Sequence, residues 1–130
     1  MLVDTSALLA LVIRDDRHHQ AAVDVVRSRP GARFVLTELI LGEVATRLRA
    51  RTGAARAVAV ARDLLASQRY EVVFVDARIF EGALERMARF ADKRLSLTDC
   101  ASFELMERLG LDTAFAFDRG FRDCGLATVP

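Results

Sequence analysis

A chain of 130 residues fits one domain, residues 1–130, with a single hydrophobic core. Its composition, 52% hydrophobic and 28% charged, excludes an intrinsically disordered protein. The net charge of +1 gives no general sign of nucleic-acid binding, so any such surface must come from local clustering of charge.

The cysteines and the apolar runs bear on where the protein works. Cys100 and Cys124 lack the spacing of a zinc site, and we expect reduced thiols. The longest apolar run, residues 7–13, is far shorter than the roughly 20 residues that span a bilayer. Asp4 also stands where a secretory signal would be basic. We therefore expect a soluble, cytoplasmic protein without a membrane partner.

Short apolar runs alternate with helical patterns along the chain. Residues 71–76 are β-branched and apolar, which is typical of a strand, whereas residues 79–90 carry apolar side chains on one helical side. The predicted elements, in chain order, are a strand at 1–3, helices at 6–14 and 18–28, a strand at 32–36, helices at 37–51 and 54–68, a strand at 71–76, helices at 79–90 and 98–108, a strand at 113–117 and a last short strand at 126–129.

This alternation predicts an α/β layered fold around a central parallel sheet. The strands are apolar on both faces, as in sheets that are covered by helices on both sides. In such folds, sites gather at the carboxyl ends of the strands. Residues that follow the strands are therefore the first candidates for chemistry.

Three predicted strands end in an aspartate, namely Asp4, Asp76 and Asp118. Each has a purely structural alternative, because aspartate is a favoured helix N-cap and turn residue. The hydroxyls of Thr5 and Ser6 follow Asp4 and could orient a bound water. In the segment FDRGF a glycine lets the chain turn just after Asp118. The local pattern leaves both interpretations open for all three.

Further acids lie on two predicted helices. Asp99 stands three residues after Ser96, the spacing of a capping box, so it is either a cap or a residue that points to the same sheet edge. Glu38 and Glu43 compete on another helix. Glu38 lies in the first turn, where a negative charge complements the helix dipole. Glu43 has apolar residues three and four positions before it, on the same side of the helix. Such neighbours make a charged carboxylate costly, and metal ligation would compensate that cost. This favours Glu43 over Glu38 as the metal ligand.

If Asp4, Glu43, Asp99 and Asp118 converge, their mutual repulsion calls for a cation. Ligands that are all oxygen favour the hard cations Mg²⁺ or Mn²⁺ over zinc or copper. Such a site suits phosphodiester hydrolysis, in which the metal activates a water and neutralises the developing charge.

Four segments resemble PIN-domain proteins, and in particular the VapC-type ribonuclease toxins of toxin–antitoxin pairs. The resemblance covers nearly the whole chain, with the segments in the family's order. They read VDTSALLAL, TELILGEVATRLR, DKRLSLTDCASFELM and AFAFDRGFRDCGL.

The resemblance implies roles for particular residues and partners. It assigns the catalytic and metal-binding acids to Asp4, Glu43, Asp99 and Asp118, adds supporting roles for Ser6 and Thr98, and makes Asp76 structural. It also implies a three-layer α/β/α sandwich, an Mg²⁺- or Mn²⁺-dependent endoribonuclease and a homodimer. A cognate antitoxin would insert its C-terminal segment into the active-site groove.

Three other functions are alternatives to this one. They are a solitary PIN nuclease in RNA processing, a non-catalytic RNA-binding module and a phospho-receiver domain. The receiver would need a lysine at the end of its fifth strand, but Lys93 falls in a predicted loop. An intact acidic set argues against binding alone, since carboxylates repel phosphate unless a metal is present.

Three other features carry weaker predictions. The arginines between Arg47 and Arg62 either grip an RNA backbone or form a solvated helix face. His18 and His19 are expected at the surface or in a capping position. Gly120, where many relatives have a large polar residue, is expected at the rim of the site.

Overall fold

Five strands and seven helices alternate along the chain in the computed structural model, which describes residues 1–130. Each predicted element is present. The elements, in chain order, are β1 (Leu2–Val3), α1 (Thr5–Val12), α2 (His19–Arg27), β2 (Phe34–Thr37), α3 (Glu38–Thr52), α4 (Ala54–Ala66), β3 (Tyr70–Val73), α5 (Ala77–Arg89), α6 (Leu97–Leu109), β4 (Thr113–Phe115), α7 (Gly120–Asp123) and β5 (Ala127–Val129).

All five strands form one parallel sheet in the order β3-β2-β1-β4-β5. The shortest strand, β1, lies at the centre, where Leu2 pairs with both Val35 and Ala114. β3 and β5 are the edges. The predicted last strand is therefore confirmed at an edge.

Helices cover both faces of the sheet, which gives the predicted three-layer α/β/α sandwich. Alternate strand residues enter opposite cores. Val3 and Phe115 pack on one side, with α1 to α4. Leu2 and Ala114 pack on the other side, with α5, α6 and α7. This two-sided burial explains why the strands are continuously apolar rather than alternating.

The element boundaries follow local chemistry. The Thr37 hydroxyl accepts from the N–H of Ile40 at 3.3 Å and so caps α3. Gly53 separates α3 from α4 with φ of 91°, and Gly110 ends α6 with φ of 62°. Both values lie in the region that favours glycine.

The structure departs from the prediction in two strands and one helix. The strand predicted at 71–76 ends at Val73, whose pairing with Thr37 is the last between β2 and β3. Beyond this pair, the N–H of Val75 donates to the Glu38 carboxylate at 2.8 Å and not to a strand. The strand predicted at 113–117 ends at Phe115. The short helix α7 was not predicted. No helix of this fold is long and apolar enough to cross a membrane.

Candidate active site

The exits of β1 and β4 lie side by side at the point where the sheet changes its winding direction. From β1 the chain builds β2 and β3 to one side, whereas β4 and β5 lie on the other side. The N–H of Asp4 donates to the carbonyl of Phe115 at 2.9 Å and so ties the two exits together. Open parallel sheets bind ligands in the crevice at such a point. Asp4 and Asp118 follow these two strands.

Asp4 is a helix cap and a buried acid at once. It caps α1, and its Oδ2 accepts from the N–H of Ser6 at 3.0 Å and from the Ser6 hydroxyl at 2.6 Å. The residue is only 5% exposed. Burial raises the pKa of the carboxyl above its ordinary value, the hydrogen bonds from Ser6 act against this, and the charge of Asp99 adds to it.

The Ser6 hydroxyl joins Asp4 to the turn that carries Asp118. While it donates to Asp4, its oxygen accepts from the N–H of Phe117 at 3.0 Å and from the N–H of Asp118 at 3.3 Å. A single side chain thus links the exits of β1 and β4. This geometry fits the supporting role that the resemblance implies for Ser6.

Glu43 and Glu38 turn to different partners, although they share α3. The Glu43 Oε2 accepts from the Thr5 hydroxyl at 2.9 Å, which holds it beside the start of α1. Arg47 lies one helical turn further on, 4.0 Å from the same oxygen. Glu38 instead accepts from the N–H of Val75 beyond β3. The structure brings Glu43 towards Asp4 and commits Glu38 to a structural contact.

Asp99 forms the predicted capping box at the start of α6. Its Oδ2 accepts from the N–H and the hydroxyl of Ser96 at 2.8 Å and 2.9 Å, and its own N–H donates back to that hydroxyl at 3.0 Å. Burial raises the pKa of Asp99, and the charges of Asp118 and Glu43 raise it further. The cap and the site interpretations therefore coexist in this residue.

Asp118 is the exposed member of the set. Its Oδ1 accepts from the N–H of Gly120 at 2.7 Å in the turn before α7. A Cβ added at Gly120 would lie 3.0 Å from this same oxygen. Glycine therefore keeps the approach to Asp118 open, as expected for a residue at the rim.

The four carboxylates share a donor pattern that suits a hard cation. In each, the hydrogen bonds fall on one oxygen and leave the second oxygen available to a ligand. The side chains are not drawn tightly together, since no three potential ligands meet the geometry of a metal site. Unneutralised carboxylates repel one another. The chemistry of the donors fits Mg²⁺ or Mn²⁺, which prefer oxygen ligands.

Two other sequence candidates have structural contacts only. Asp76 caps α5 by accepting from the N–H of Ile79 at 2.8 Å, at the end of the edge strand β3. Thr98 lies in the first turn of α6, where its carbonyl accepts from the Ser102 hydroxyl, and its own hydroxyl makes no hydrogen bond. Its supporting role stays a prediction.

His18 lies closer to the site than its sequence position suggested. Its ring stacks on Phe117, with centroids 4.3 Å apart, and Phe117 directly precedes Asp118. His19 instead contacts the carbonyl of Ala10 through Nδ1 at 2.7 Å. No local pattern signals the stacking of His18, because it depends on the packing of α2 beside the exit of β4.

The arginines between Arg47 and Arg62 are partly committed to the fold. Arg51 pairs with Asp15 at 2.7 Å, and Arg56 donates to the carbonyl of Val12 at 2.7 Å. Arg49 and Arg62 line a groove between α3 and α4 whose floor is mostly alanine. The segment is therefore no uniform phosphate-binding surface.

Comparison with known proteins identifies the family. The chain matches the PIN domain over residues 1–125. It is 33% identical over 129 residues to the 23S rRNA-specific endonuclease VapC20 of Mycobacterium tuberculosis, covering 99% of this chain and 97% of that protein. Ribonuclease VapC26 of the same organism is 29% identical over 119 residues, covering 92% and 87% of the two chains.

Solved structures agree with this assignment. The crystal structure of M. tuberculosis VapC20, described as a sarcin–ricin loop cleaving toxin, superposes with a TM-score of 0.90 at 32% identity and covers 97% of this chain and 95% of that one. FitAcB from Neisseria gonorrhoeae shares the fold, with a TM-score of 0.64 at 14% identity over 99% of this chain and 96% of that one. The chain therefore belongs to the PIN-domain family and resembles its VapC-type ribonuclease toxins.

Proposed function

We propose that this protein is an Mg²⁺- or Mn²⁺-dependent endoribonuclease and the toxin of a toxin–antitoxin pair. The observation that carries the proposal is the carboxylate set at the exits of β1 and β4. The four acids come from four separate segments, and the charge of Asp99 acts on Asp4 while the charges of Asp118 and Glu43 act on Asp99. Each carboxylate accepts its hydrogen bonds through one oxygen, which leaves the other oxygen free to bind. The presence of all four acids favours a nuclease over a PIN domain that only binds RNA, since carboxylates without a metal repel phosphate.

The chain's own residues would orient the site before RNA arrives. Ser6 fixes Asp4, Thr5 fixes Glu43 and Ser96 fixes Asp99. A bound divalent cation would supply an activated water and would offset the charge that develops on the scissile phosphate. Such prior orientation is worth much in catalysis, because the groups need not reorganise during the reaction.

The proposed substrate is ribosomal RNA, and the probe of choice is the sarcin–ricin loop. VapC20 is described as specific for 23S rRNA and as cleaving that loop. The two chains share their fold nearly throughout. We extend the substrate to this chain on that likeness.

Cleavage of purified ribosomes and of total RNA tests the activity. We expect cuts in the presence of Mg²⁺ or Mn²⁺, mapped to one loop of 23S rRNA by primer extension, and none in EDTA. Asp99→Asn should abolish cleavage, since it removes a charge from the crevice. Asp76→Asn is the matched control, because asparagine caps a helix as well as aspartate and Asp76 lies at the sheet edge. Cleavage that survives both EDTA and Asp99→Asn would refute the proposal.

The proposal includes two protein partners, a second copy of the chain and a cognate antitoxin, with the complex acting in the cytoplasm. A short reading frame directly upstream that encodes a DNA-binding fold would identify the antitoxin. Its co-expressed product should co-purify with this chain and stop the cleavage. A chain that is neither toxic nor neutralised by its neighbour would instead act as a solitary nuclease.

A further inference from the structure

A cavity of about 600 Å³ opens directly beside Asp118. We call it the basic cavity after its three cationic side chains, which line it together with three aspartates: Lys93, Arg94 and Arg119 with Asp92, Asp118 and Asp123. It lies between residues 92–95, which lead into α6, and residues 118–123, which include α7. The cavity adjoins the candidate active site, because Asp118 lines it and Asp99 follows the first of its two segments by four residues. A ligand bound at the exits of β1 and β4 could therefore extend directly into this cavity.

Two guanidinium groups in the basic cavity have no partner. Arg94 and Arg119 are exposed and line the cavity, and neither makes a hydrogen bond or an ion pair. Lys93 is different, since its Nζ donates to the carbonyl of Asp123 and lies 5.3 Å from the ring centroid of Phe90. Lys93 thus fastens the two walls together, while the two arginines remain available.

The acids in the same cavity leave these arginines unneutralised. Asp118 belongs to the carboxylate set and accepts from Gly120. Asp92 and Asp123 also line the cavity, yet no ion pair within 4.0 Å joins them to Arg94 or Arg119. An unpaired guanidinium is a planar fork of donors that matches a phosphate group.

Gly120 gives the basic cavity its room next to Asp118. A Cβ at this position would lie 3.0 Å from the Asp118 Oδ1 and 3.5 Å from the Leu95 Cδ2. Any side chain here would therefore fill the passage between the cavity and the carboxylate. The absence of a side chain keeps Arg94 and Arg119 in reach of a ligand that also contacts Asp118.

We infer that Arg94 and Arg119 bind a backbone phosphate of the RNA next to the phosphate that is cleaved. The inference rests on the proposed function, because it needs RNA at the carboxylate set. Four carboxylates repel RNA, and cations beside them offset this repulsion. Contacts to phosphate position the strand without reading its sequence.

The test measures RNA binding rather than activity. A labelled sarcin–ricin hairpin and an unrelated hairpin of equal length are titrated with protein carrying Asp99→Asn, which leaves the RNA intact, at constant Mg²⁺. We expect Arg94→Gln and Arg119→Gln each to weaken binding about tenfold, as for loss of a charge-assisted hydrogen bond. Each should lower the salt dependence, the slope of log K against log salt, by about 0.7. The loss should be equal for both hairpins, since phosphate carries no sequence information.

Arg27→Gln is the matched control. Arg27 is exposed and unpaired at the end of α2, and the chain then leads to the start of β2, at the amino ends of the strands and away from the exits of β1 and β4. It should change neither affinity nor slope.

Unchanged slope and affinity in the double variant Arg94→Gln/Arg119→Gln would overturn the inference, and so would a loss confined to one hairpin, which would indicate base recognition. Cleavage by the unaltered protein is assayed in parallel. If it cleaves and the double variant binds normally, only the inference fails, whereas absence of cleavage overturns the proposed function and the inference with it.

Discussion

Asp4 shows how one residue serves folding and proposed chemistry with opposing demands. As the cap of α1 it accepts two hydrogen bonds from Ser6, which stabilise the start of the helix. As a buried acid it has a raised pKa, because burial disfavours its charge. The fold thus holds a carboxylate whose burial disfavours its negative charge, and a bound cation would offset that cost. Residues that violate a local stability rule in this way are typical of functional sites.

Replacement of Asp4 by asparagine should stabilise the cation-free protein at neutral pH. The folded-state pKa lies above the unfolded value of about 3.9, so ionisation of Asp4 destabilises the fold as pH rises from the unfolded pKa through the folded one. Asparagine removes that charge and still accepts from Ser6. We expect a higher melting temperature for Asp4→Asn in EDTA at pH 7, followed by circular dichroism.

The comparison with acid pH sharpens this test. Below the unfolded pKa, Asp4 is protonated in both states, so the difference between Asp4→Asn and the unaltered protein should vanish there. Asp76→Asn, at an exposed cap, should leave the melting temperature nearly unchanged at either pH. A lower melting temperature for Asp4→Asn at neutral pH would contradict the electrostatic account.

Mg²⁺ or Mn²⁺ should stabilise the unaltered protein and not Asp4→Asn. At a cation concentration of 100 times Kd, binding to the folded state alone adds about 2.7 kcal/mol to the free energy of unfolding. This gain should be lost as pH falls through the raised pKa values of Asp4 and Asp99, because both must ionise to bind. Differential scanning calorimetry with and without cation measures it. A cation effect of equal size in Asp4→Asn would place binding elsewhere.

At the scale of the helices, α5 and α6 meet through a small residue and a half-buried pair of charges, Arg86 and Glu104. Gly82 faces Glu104, which pairs with Arg86 at 3.2 Å and with Arg108 at 2.9 Å. Arg86 also pairs with Glu107, and its Nε is buried without a partner. This contact fixes α6, which carries Asp99, against the rest of the second core.

Alanine at Gly82 and at Gly42 should therefore act in opposite directions. Both glycines lie inside helices, where alanine is favoured by about 1 kcal/mol. A Cβ at Gly42 meets open space, so Gly42→Ala should raise the free energy of unfolding by about that amount. A Cβ at Gly82 would lie 2.5 Å from the Glu104 Cδ, and moving Glu104 would disturb its half-buried ion pair with Arg86. Gly82→Ala should lower the free energy of unfolding, as measured by urea denaturation, and a rise like that of Gly42→Ala would refute this.

Element order and fold class could be predicted from the sequence, whereas strand ends could not. Runs of apolar residues identify the strands, most clearly β1 and β2, because these are buried on both faces. The end of β3 depends on Glu38, which takes the N–H of Val75 from 37 positions away along the chain. A contact of this kind leaves no periodic signal in the segment itself.

The candidate site was predictable only in part, and the reason lies in strand order. Asp4 and Asp76 have the same local pattern, an aspartate that follows an apolar strand and caps a helix. β1 lies at the centre beside β4, whereas β3 lies at the edge. Only Asp4 therefore lies beside the strand exit that leads to Asp118. The family resemblance separated the two residues, and residue chemistry alone did not.

At the scale of the whole molecule, one edge of the sheet carries exposed apolar side chains. Phe74, which follows the edge strand β3, is 68% exposed, and Phe80 and Leu84 on α5 are 41% and 40% exposed. Isolated exposed apolar residues are ordinary on a soluble protein. Several of them within eleven positions of one edge segment are more typical of a contact surface. We expect the homodimer proposed above to form through this part of the chain.

Phe74→Asp should therefore dissociate the dimer. A twofold interface contains Phe74 twice, and burial of each phenylalanine contributes roughly 1.5–3 kcal/mol. Loss of both should raise the dimer Kd by at least about 100-fold, which light scattering after size exclusion resolves at micromolar protein. Leu109→Asp is the matched control, since Leu109 is 51% exposed at the far end of α6 and lies outside the β3–α5 segment. A dimer that survives Phe74→Asp but not Leu109→Asp would place the interface at the C-terminal end of α6 instead. Because Phe74 lies away from the carboxylate set, cleavage by the monomeric variant would also show whether one chain holds a complete site.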